Sequence, residues 1–427
     1  MVLSHITTPL LGVVATAVIG QLGSAELLGA IALGAIVFDF LFWGFGAFRM
    51  TTAGLTAQAT GAKNKPQIDL ILARSFLIAI TAGAFLILSQ SPIKILAGWF
   101  YSDASPAVME AMFTYFSVRI WAAPLTLSNY VILGSILGRA RTDIGLCLQI
   151  AINLSNIALS LLLVLVLDFG IKGVALASVL AEATGVLLGI IALKYLGSNP
   201  FNTLWKNVIN KTELWHMLAV NRDIMIRTAC LLMAFALFSR QGVKFGAVAL
   251  AANAILYNMF LVGSYFLDGF ATAAETLGGQ SIGARNRAAF ERVTRLCLIW
   301  CMSISLCIAA FFMIISPWFI DMLSTNEDIR TFARSYVIFA AFAPLIGSAA
   351  FVFDGIFIGA TWSAAMRDLM AISFGIFVAV LLLGQSLGNT GLWIAFVTFL
   401  GARGLGQALL YPKLTNRTFN RLTSEKP

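Results

Sequence analysis

The heptapeptide QATGAKN at 58–64 returns as QSIGARN at 280–286, with four identical residues and a lysine exchanged for an arginine. The two copies lie 222 positions apart. Two glycine pairs repeat in the same order at nearly the same spacing: Gly134 and Gly138 match Gly355 and Gly359, and Gly170 and Gly173 match Gly388 and Gly391. Three matches in one order indicate that the chain is an internal duplication.

The composition is that of a membrane protein. Of the 427 residues, 59% are hydrophobic and 11% are charged, whereas a soluble domain has about 25% charged residues. Crossing the hydrocarbon of a bilayer takes about 20 apolar residues in a helix. Apolar segments of this kind predict twelve transmembrane helices at 6–22, 27–48, 70–90, 113–138, 144–167, 171–196, 222–240, 247–278, 294–316, 334–359, 367–387 and 390–411.

Together, the spans and the repeat predict an all-α polytopic membrane protein of two six-helix lobes. The expected parts are an N-terminal lobe at 1–196, a cytoplasmic linker at 197–221, a C-terminal lobe at 222–411 and a basic cytoplasmic tail at 412–427. Because each half has an even number of spans, both halves insert in the same orientation, as in secondary transporters whose lobes rock about a central site.

The positive charge of the chain follows its topology. The formal net charge is +9, and most lysines and arginines outside the spans fall in loops on one side of the predicted membrane. The positive-inside rule makes that side the cytoplasm, so both termini are expected there in a multi-pass plasma (inner) membrane protein. The basicity faces the anionic inner leaflet and implies no nucleic-acid partner.

Several kinds of chemistry have no motif in this chain. There is no Walker motif, no HExxH and no CxxC, and the only histidines are His5 and His216. We therefore expect a protein that is not an enzyme, is not driven by ATP and has no metal site or cofactor. Coupling to an ion, H⁺ or Na⁺, remains as the source of energy.

Charged side chains inside the spans are functional candidates, because a charge in the bilayer costs several kcal/mol. The intramembrane acids are Asp39, Glu182, Asp268, Glu275 and Asp354, and Arg403 is the clearest cation. Asp268 and Glu275 share one helix face. At 1.5 Å per residue Glu275 lies only about 8 Å from the predicted cytoplasmic end at Gln280, where water is in reach, whereas Asp268 lies about 18 Å away.

The N-terminal half adds neutral polar and aromatic candidates. Asn156 and Ser160 lie one turn apart on the fifth span, with Asn153 before them, and Ser178 and Glu182 repeat that spacing on the sixth. These side chains could bond across helices or help to hydrate a cavity. Asp39 is surrounded in sequence by aromatic residues, among them Phe38, Phe42 and Trp43. An acid among aromatic faces suits a lipophilic organic cation.

Several phrases of the chain together resemble the DinF-like branch of the multidrug and toxic compound extrusion (MATE) family of antiporters. These phrases are FWGFGAFRMTTAGLTAQATGAKN (42–64), NLSNIALSLLLVLVLDFGIKGVALASVLAE (153–182), LAVNRDIMIRT (218–228), YFLDGFATAAETLGGQSIGAR (265–285) and FDGIFIGAT (353–361). The resemblance implies a twelve-helix antiporter, expected to work as a monomer, that exports organic, often cationic, small molecules in exchange for protons or sodium.

The chain departs from the family pattern at two carboxylates. Family members usually have Asp in the first span where this chain has Ala15, and many have Asp where it has Ser160. Asn156 and Ser178 match polar positions of the family's N-lobe cation site. Coupling could therefore run through Asp39 or Glu182, or through the C-lobe acids, with Arg403 holding one acid ionised while another titrates; the last is the hypothesis we favour.

Two other functions stay open at this level. One is a lipid-linked precursor flippase, which shares the design of two six-helix lobes and would need several cations in its cavity; the deep charges counted above are mostly acidic, which argues against it. The other is an uncoupled or non-transporting membrane relative, which would account for the missing acids.

Overall fold

The computed structural model describes residues 25–102, 104–200 and 203–424. In these ranges every element is helical. The helices of the first half are α1 (Ala25–Phe45), α2 (Ala47–Gly61), α3 (Lys65–Leu88), α4 (Gln90–Phe100), α5 (Pro106–Arg119), α6 (Ala123–Gly138), α7 (Thr142–Leu161), α8 (Gly170–Tyr195) and α9 (Trp205–Val208). Those of the second half are α10 (Lys211–Lys244), α11 (Ala247–Gly283), α12 (Arg287–Leu323), α13 (Glu327–Gly359), α14 (Ser363–Leu383) and α15 (Asn389–Ser424).

Ten helical segments among the described residues are long and apolar enough to cross a membrane. They coincide with the predicted second to sixth and eighth to twelfth spans. The first predicted span, 6–22, and Ala15 with it, lies outside the described residues. The seventh, 222–240, falls within α10, a helix of 34 residues. The prediction of an all-α polytopic membrane protein is confirmed.

The described residues form two compact units, one within 1–60 and 64–218 and one within 61–63 and 219–427. Each has its own apolar core. In unit 1 the core includes Phe38, Leu72 and Leu127. In unit 2 it is dominated by aromatic side chains such as Trp393 and Phe396. Because α10 begins at Lys211, the end of the predicted linker 197–221 is helical.

The repeated heptapeptide forms the same turn in both places. Lys63 and Arg285 each adopt a left-handed backbone conformation with φ of 54°. Asn64 then caps α3 by accepting a hydrogen bond from the Gln67 N–H at 3.1 Å. Asn286 caps α12 in the same way, accepting from the Ala289 N–H at 3.0 Å. The repeated sequence therefore encodes a helix end, a left-handed residue and an asparagine cap, which is among the best residues for that position.

The first of the two repeated glycine pairs marks equivalent helix crossings. Gly134 and Gly138 lie where α6 crosses α2 in unit 1, and Gly355 and Gly359 lie where α13 crosses α11 in unit 2. A β-carbon added to any of the four glycines would lie 2.0–2.5 Å from a main-chain oxygen: Gly134 at Arg49, Gly138 at Ala53, Gly355 at Ala271 and Gly359 at Glu275. The contacted residues are themselves 222 positions apart. The GxxxG pairs thus let two backbones touch at the same place in each repeat.

A second pair of related turns contains a backbone conformation that residues with a β-carbon disfavour. Ala140 and Thr361 follow α6 and α13 with φ of 60° and 56°. A β-branched residue rarely adopts this conformation, which costs about 1–2 kcal/mol for residues with a β-carbon.

We expect Thr361→Gly to stabilise the protein by about 1 kcal/mol, because glycine adopts positive φ without steric cost. Thermal unfolding in detergent should show a higher midpoint than the wild type. The control is Ala360→Gly at the preceding position, where φ is −84° and glycine should lower the midpoint. A lower midpoint for Thr361→Gly would contradict the strain argument.

Candidate functional site

The carboxylate of Asp354 lies at the centre of a buried charge network in unit 2. Arg403 on α15 donates from Nη2 to Asp354 Oδ2 at 2.6 Å, and Arg227 on α10 donates to the same oxygen. Gln407, one turn after Arg403, donates from Nε2 to Oδ1 at 2.6 Å. All four side chains are buried, with Asp354 only 6% exposed. Three helices are joined by one carboxylate.

Two guanidinium groups and an amide stabilise the charged form of a carboxylate. Asp354 therefore has the environment of a structural ion pair, and this argues against a role as the proton carrier. Arg403 is buried, with its guanidinium 5.5 Å from the Phe399 ring. Arg227 was missed by the sequence analysis. Its signal was an arginine inside the apolar run IMIRTACLLM (224–233).

The two acids of α11 have different surroundings. Asp268 is half-buried, and its charge acts on Arg403. The hydroxyl of Thr272 donates to the main-chain oxygen of Asp268 at 2.8 Å. Glu275 was expected at the interface with water in reach, but its side chain is only 4% exposed. The expectation of water in reach was wrong because it used only distance along the helix and left out α13, which packs against Glu275 at Gly359.

Glu182 on α8, a candidate acid of unit 1, has a defined hydrogen-bond partner. Asn129 on α6 donates from Nδ2 to Glu182 Oε2 at 2.7 Å and to the Glu182 main-chain oxygen at 2.9 Å. The hydroxyl of Thr126 also bonds to this carboxyl group. Arg119, at the end of α5, acts on it through its charge. Arg119 is a second deep cation that the sequence analysis did not name.

The aromatic residues near Asp39 do not form a cage around its carboxylate. Phe38 is fully buried, stacks on Phe116 at 5.1 Å and has its face covered by Arg119 at 4.8 Å. Phe42 is also buried and packs on Phe38. Trp43 is 50% exposed, and Asp39 itself is exposed. Consecutive residues of a helix point in different directions, so the crowding in sequence does not become a cage in space.

The neutral polar residues of α7 and α8 do meet. Asn156 Nδ2 donates to Ser178 Oγ at 3.3 Å, which joins the two helices. Asn153 is half-buried one turn earlier on α7, and Ser160 is buried one turn later. A π-helical turn at 162–166 follows directly after α7, and turns of this kind often occur at functional sites. Within the described ranges, no group of three or more His, Cys, Asp or Glu side chains could hold a metal ion.

The chain is similar to known proteins along both of its halves. The MatE family model matches residues 1–162 and 224–383, one stretch in each half of the chain. The DNA damage-inducible protein F of Escherichia coli is 36% identical over 417 residues, which cover 96% of this chain and 90% of that protein. The human multidrug and toxin extrusion protein 1 is 23% identical, with 88% of this chain and 67% of that protein covered.

Solved structures show the same fold at low identity. A crystal structure of a MATE protein in a bent conformation superposes with a TM-score of 0.89 at 18% identity, covering 98% of this chain and 95% of that one. A MOP superfamily transporter from Pyrococcus furiosus gives a TM-score of 0.85 at 18% identity, with 98% and 94% covered. The family model covers most of the chain, so this protein is a member of the MatE family of multidrug and toxic compound extrusion transporters.

Proposed function

We propose that the protein is a secondary active efflux antiporter, which exports lipophilic organic cations in exchange for protons by alternating access of its two lobes. The observation that carries the proposal is the 36% identity to the Escherichia coli family member over 96% of the chain. Sodium is the alternative coupling ion. The proposed location is the inner membrane with both termini in the cytoplasm, and the proposed working unit is the monomer.

In unit 2 the proposed coupling acid is Asp268. Asp354 accepts hydrogen bonds from Arg227 and Arg403. These two cations stabilise its ionised form, which makes it a poor proton carrier. The charge of Asp268 also acts on Arg403. The charge group therefore has two cations, Arg227 and Arg403, and two anions, Asp354 and Asp268. When Asp268 gains a proton the group becomes net positive, which disfavours a cationic substrate nearby. When Asp268 loses that proton the repulsion disappears, so proton and organic cation compete, as antiport requires.

The test is transport of ethidium, a fluorescent organic cation, into proteoliposomes under separately imposed proton and sodium gradients. We expect the proton gradient to drive uptake by the wild type. Asp268→Asn should lower that uptake by roughly 5- to 150-fold, the range of typical coupling free energies. The matched control is Asp328→Asn, an exposed acid in the first turn of α13. Unchanged uptake in Asp268→Asn would exclude this coupling role.

The flippase alternative requires deep cations, and the chain has more of them than the sequence analysis counted. Arg119 and Arg227 lie in α5 and α10, so the deep charges are less acidic than expected and that argument against a flippase is weakened. A flippase would translocate a fluorescent polyprenyl pyrophosphate lipid in the same vesicles. An uncoupled relative would take up ethidium equally with and without a gradient. We favour the antiporter because the relatives are named for multidrug and toxin extrusion.

A further inference from the structure

Glu182 lies half-way along α8, a helix of 26 residues. At 1.5 Å per residue it is about 18–20 Å from either end. A charge at this depth is among the most costly in a membrane protein, and such acids are found where a function requires them. Within the described residues, the environment of Glu182 is well defined and differs from that of Asp354 in one respect that matters for proton binding.

The hydrogen-bond partners of the Glu182 carboxyl group are neutral, the Asn129 amide and the Thr126 hydroxyl. Asn129 is buried, and its Nδ2 donates to Glu182 Oε2 at 2.7 Å. The other amide atom, Asn129 Oδ1, is also buried and accepts no hydrogen bond from the described part of the chain. An unsatisfied buried acceptor is unfavourable. It becomes satisfied if the neighbouring carboxyl group carries a proton, because a neutral acid has an O–H donor.

A neutral carboxyl group and a primary amide are complementary. The amide N–H donates to one carboxyl oxygen while the carboxyl O–H donates to the amide oxygen, which gives two hydrogen bonds in place of one. Within this pair the charged form keeps only the bond from Asn129 Nδ2, and the Thr126 hydroxyl bonds to the carboxyl group besides. Asn129 can therefore form hydrogen bonds with both the ionised and the protonated carboxyl group of Glu182. Arg227 and Arg403, in contrast, stabilise only the ionised carboxylate of Asp354.

None of the charged neighbours described for Glu182 pairs with it directly, so none fixes its carboxyl group in the ionised state. Arg119 faces it from α5, but the guanidinium is occupied by the Tyr115 hydroxyl and by the Phe38 ring, 4.8 Å away. Among the described residues it forms no direct ion pair with Glu182. Tyr130 faces Glu182 from α6. Asp39 on α1 and Arg49 on α2 act on Tyr130 at longer range, and α7 contributes neutral groups such as Asn156.

We propose that Glu182 is a second proton-binding carboxyl group, located in unit 1, where the family's usual acids are replaced by Ala15 and Ser160. The proton binds at Oε1 and the new O–H donates to Asn129 Oδ1. Arg119 supplies a fixed compensating charge. This inference rests on the proposed antiport, since the site then gives each lobe one proton-binding acid, Glu182 in the first and Asp268 in the second.

The experiment is pH-difference infrared spectroscopy of the purified protein in lipid nanodiscs. The wild type should show protonated-carboxyl C=O absorption that grows towards acidic pH, and Glu182→Gln should lose the band that Glu182 contributes while the band of Asp268 remains. Glutamine is nearly isosteric and still accepts from Asn129 Nδ2, so the variant should fold, which thermal unfolding checks. Glu110→Gln, which changes an exposed glutamate, is the matched control and should keep the band.

A second variant keeps the inference testable if Glu182→Gln does not fold. Glu182→Asp retains a carboxyl group, and its band should shift in frequency, because the two acids differ in their C=O stretch. A band that is unchanged in Glu182→Gln or in Glu182→Asp would overturn the inference.

Ethidium transport separates this inference from the proposed function. If wild-type ethidium uptake does not depend on the proton gradient but Glu182→Gln loses its infrared band, the antiport proposal fails and the proton-binding role of Glu182 stands. If uptake follows the gradient and Glu182→Gln leaves both the band and the pH dependence of uptake unchanged, the antiport stands and the role of Glu182 is wrong.

Discussion

Asp354→Asn should destabilise the protein by about 3–5 kcal/mol, the usual cost of leaving buried charges without their partner. The substitution removes the negative charge between Arg227 and Arg403, and both guanidinium groups are buried where water cannot replace it. Proteins are stable by only about 5–15 kcal/mol. Denaturant unfolding in detergent should therefore show a large loss, and the yield of folded protein should fall.

The control for this prediction removes the cations together with the acid. The triple variant Arg227→Met, Asp354→Leu, Arg403→Met replaces the network by apolar side chains of similar size, which is often neutral or stabilising. It should recover most of the lost stability. If Asp354→Asn alone is as stable as the wild type, the network does not hold α10, α13 and α15 together. A transport defect in Asp354→Asn without this control would report on folding, not on coupling.

Gly355→Ala should also be strongly destabilising. The added β-carbon would lie 2.0 Å from the main-chain oxygen of Ala271, so α11 and α13 would have to separate. Overpacking of a tight core typically costs about 1–3 kcal/mol, and this site is at the upper end because the obstacle is backbone and not a flexible side chain. Thermal unfolding in detergent measures the loss.

A glycine in open surroundings provides the comparison. Gly375 in α14 has no atom within 4 Å of an added β-carbon, so Gly375→Ala should be neutral or stabilising by up to about 1 kcal/mol, as expected for an exposed helical position. Equal midpoints for Gly355→Ala and Gly375→Ala would show that the helix crossing tolerates a methyl group, and that the glycine repeat has another origin.

Part of the candidate site could be predicted from sequence. The polar residues of the fifth and sixth spans share the same spacing, and the structure joins them through Asn156 and Ser178. Arg403 was named as a deep cation and is buried. The roles of the individual acids could not be predicted from the sequence. Asp354 and Asp268 looked alike in sequence, and the structure distinguishes Asp354 by its two guanidinium partners and its deeper burial.

The sequence by itself determined ten spans among the described residues, the duplication and the chemistry of the turns. Hydropathy and asparagine capping depend only on residues that are neighbours in the chain, so both can be predicted from the sequence. Tertiary structure decided which charges meet, because Asp354 bonds residues 127 and 49 positions away and Glu182 bonds one 53 positions away. A helix that is apolar on all sides carries no stripe that fixes its rotation, so only packing selects the partner of each buried charge.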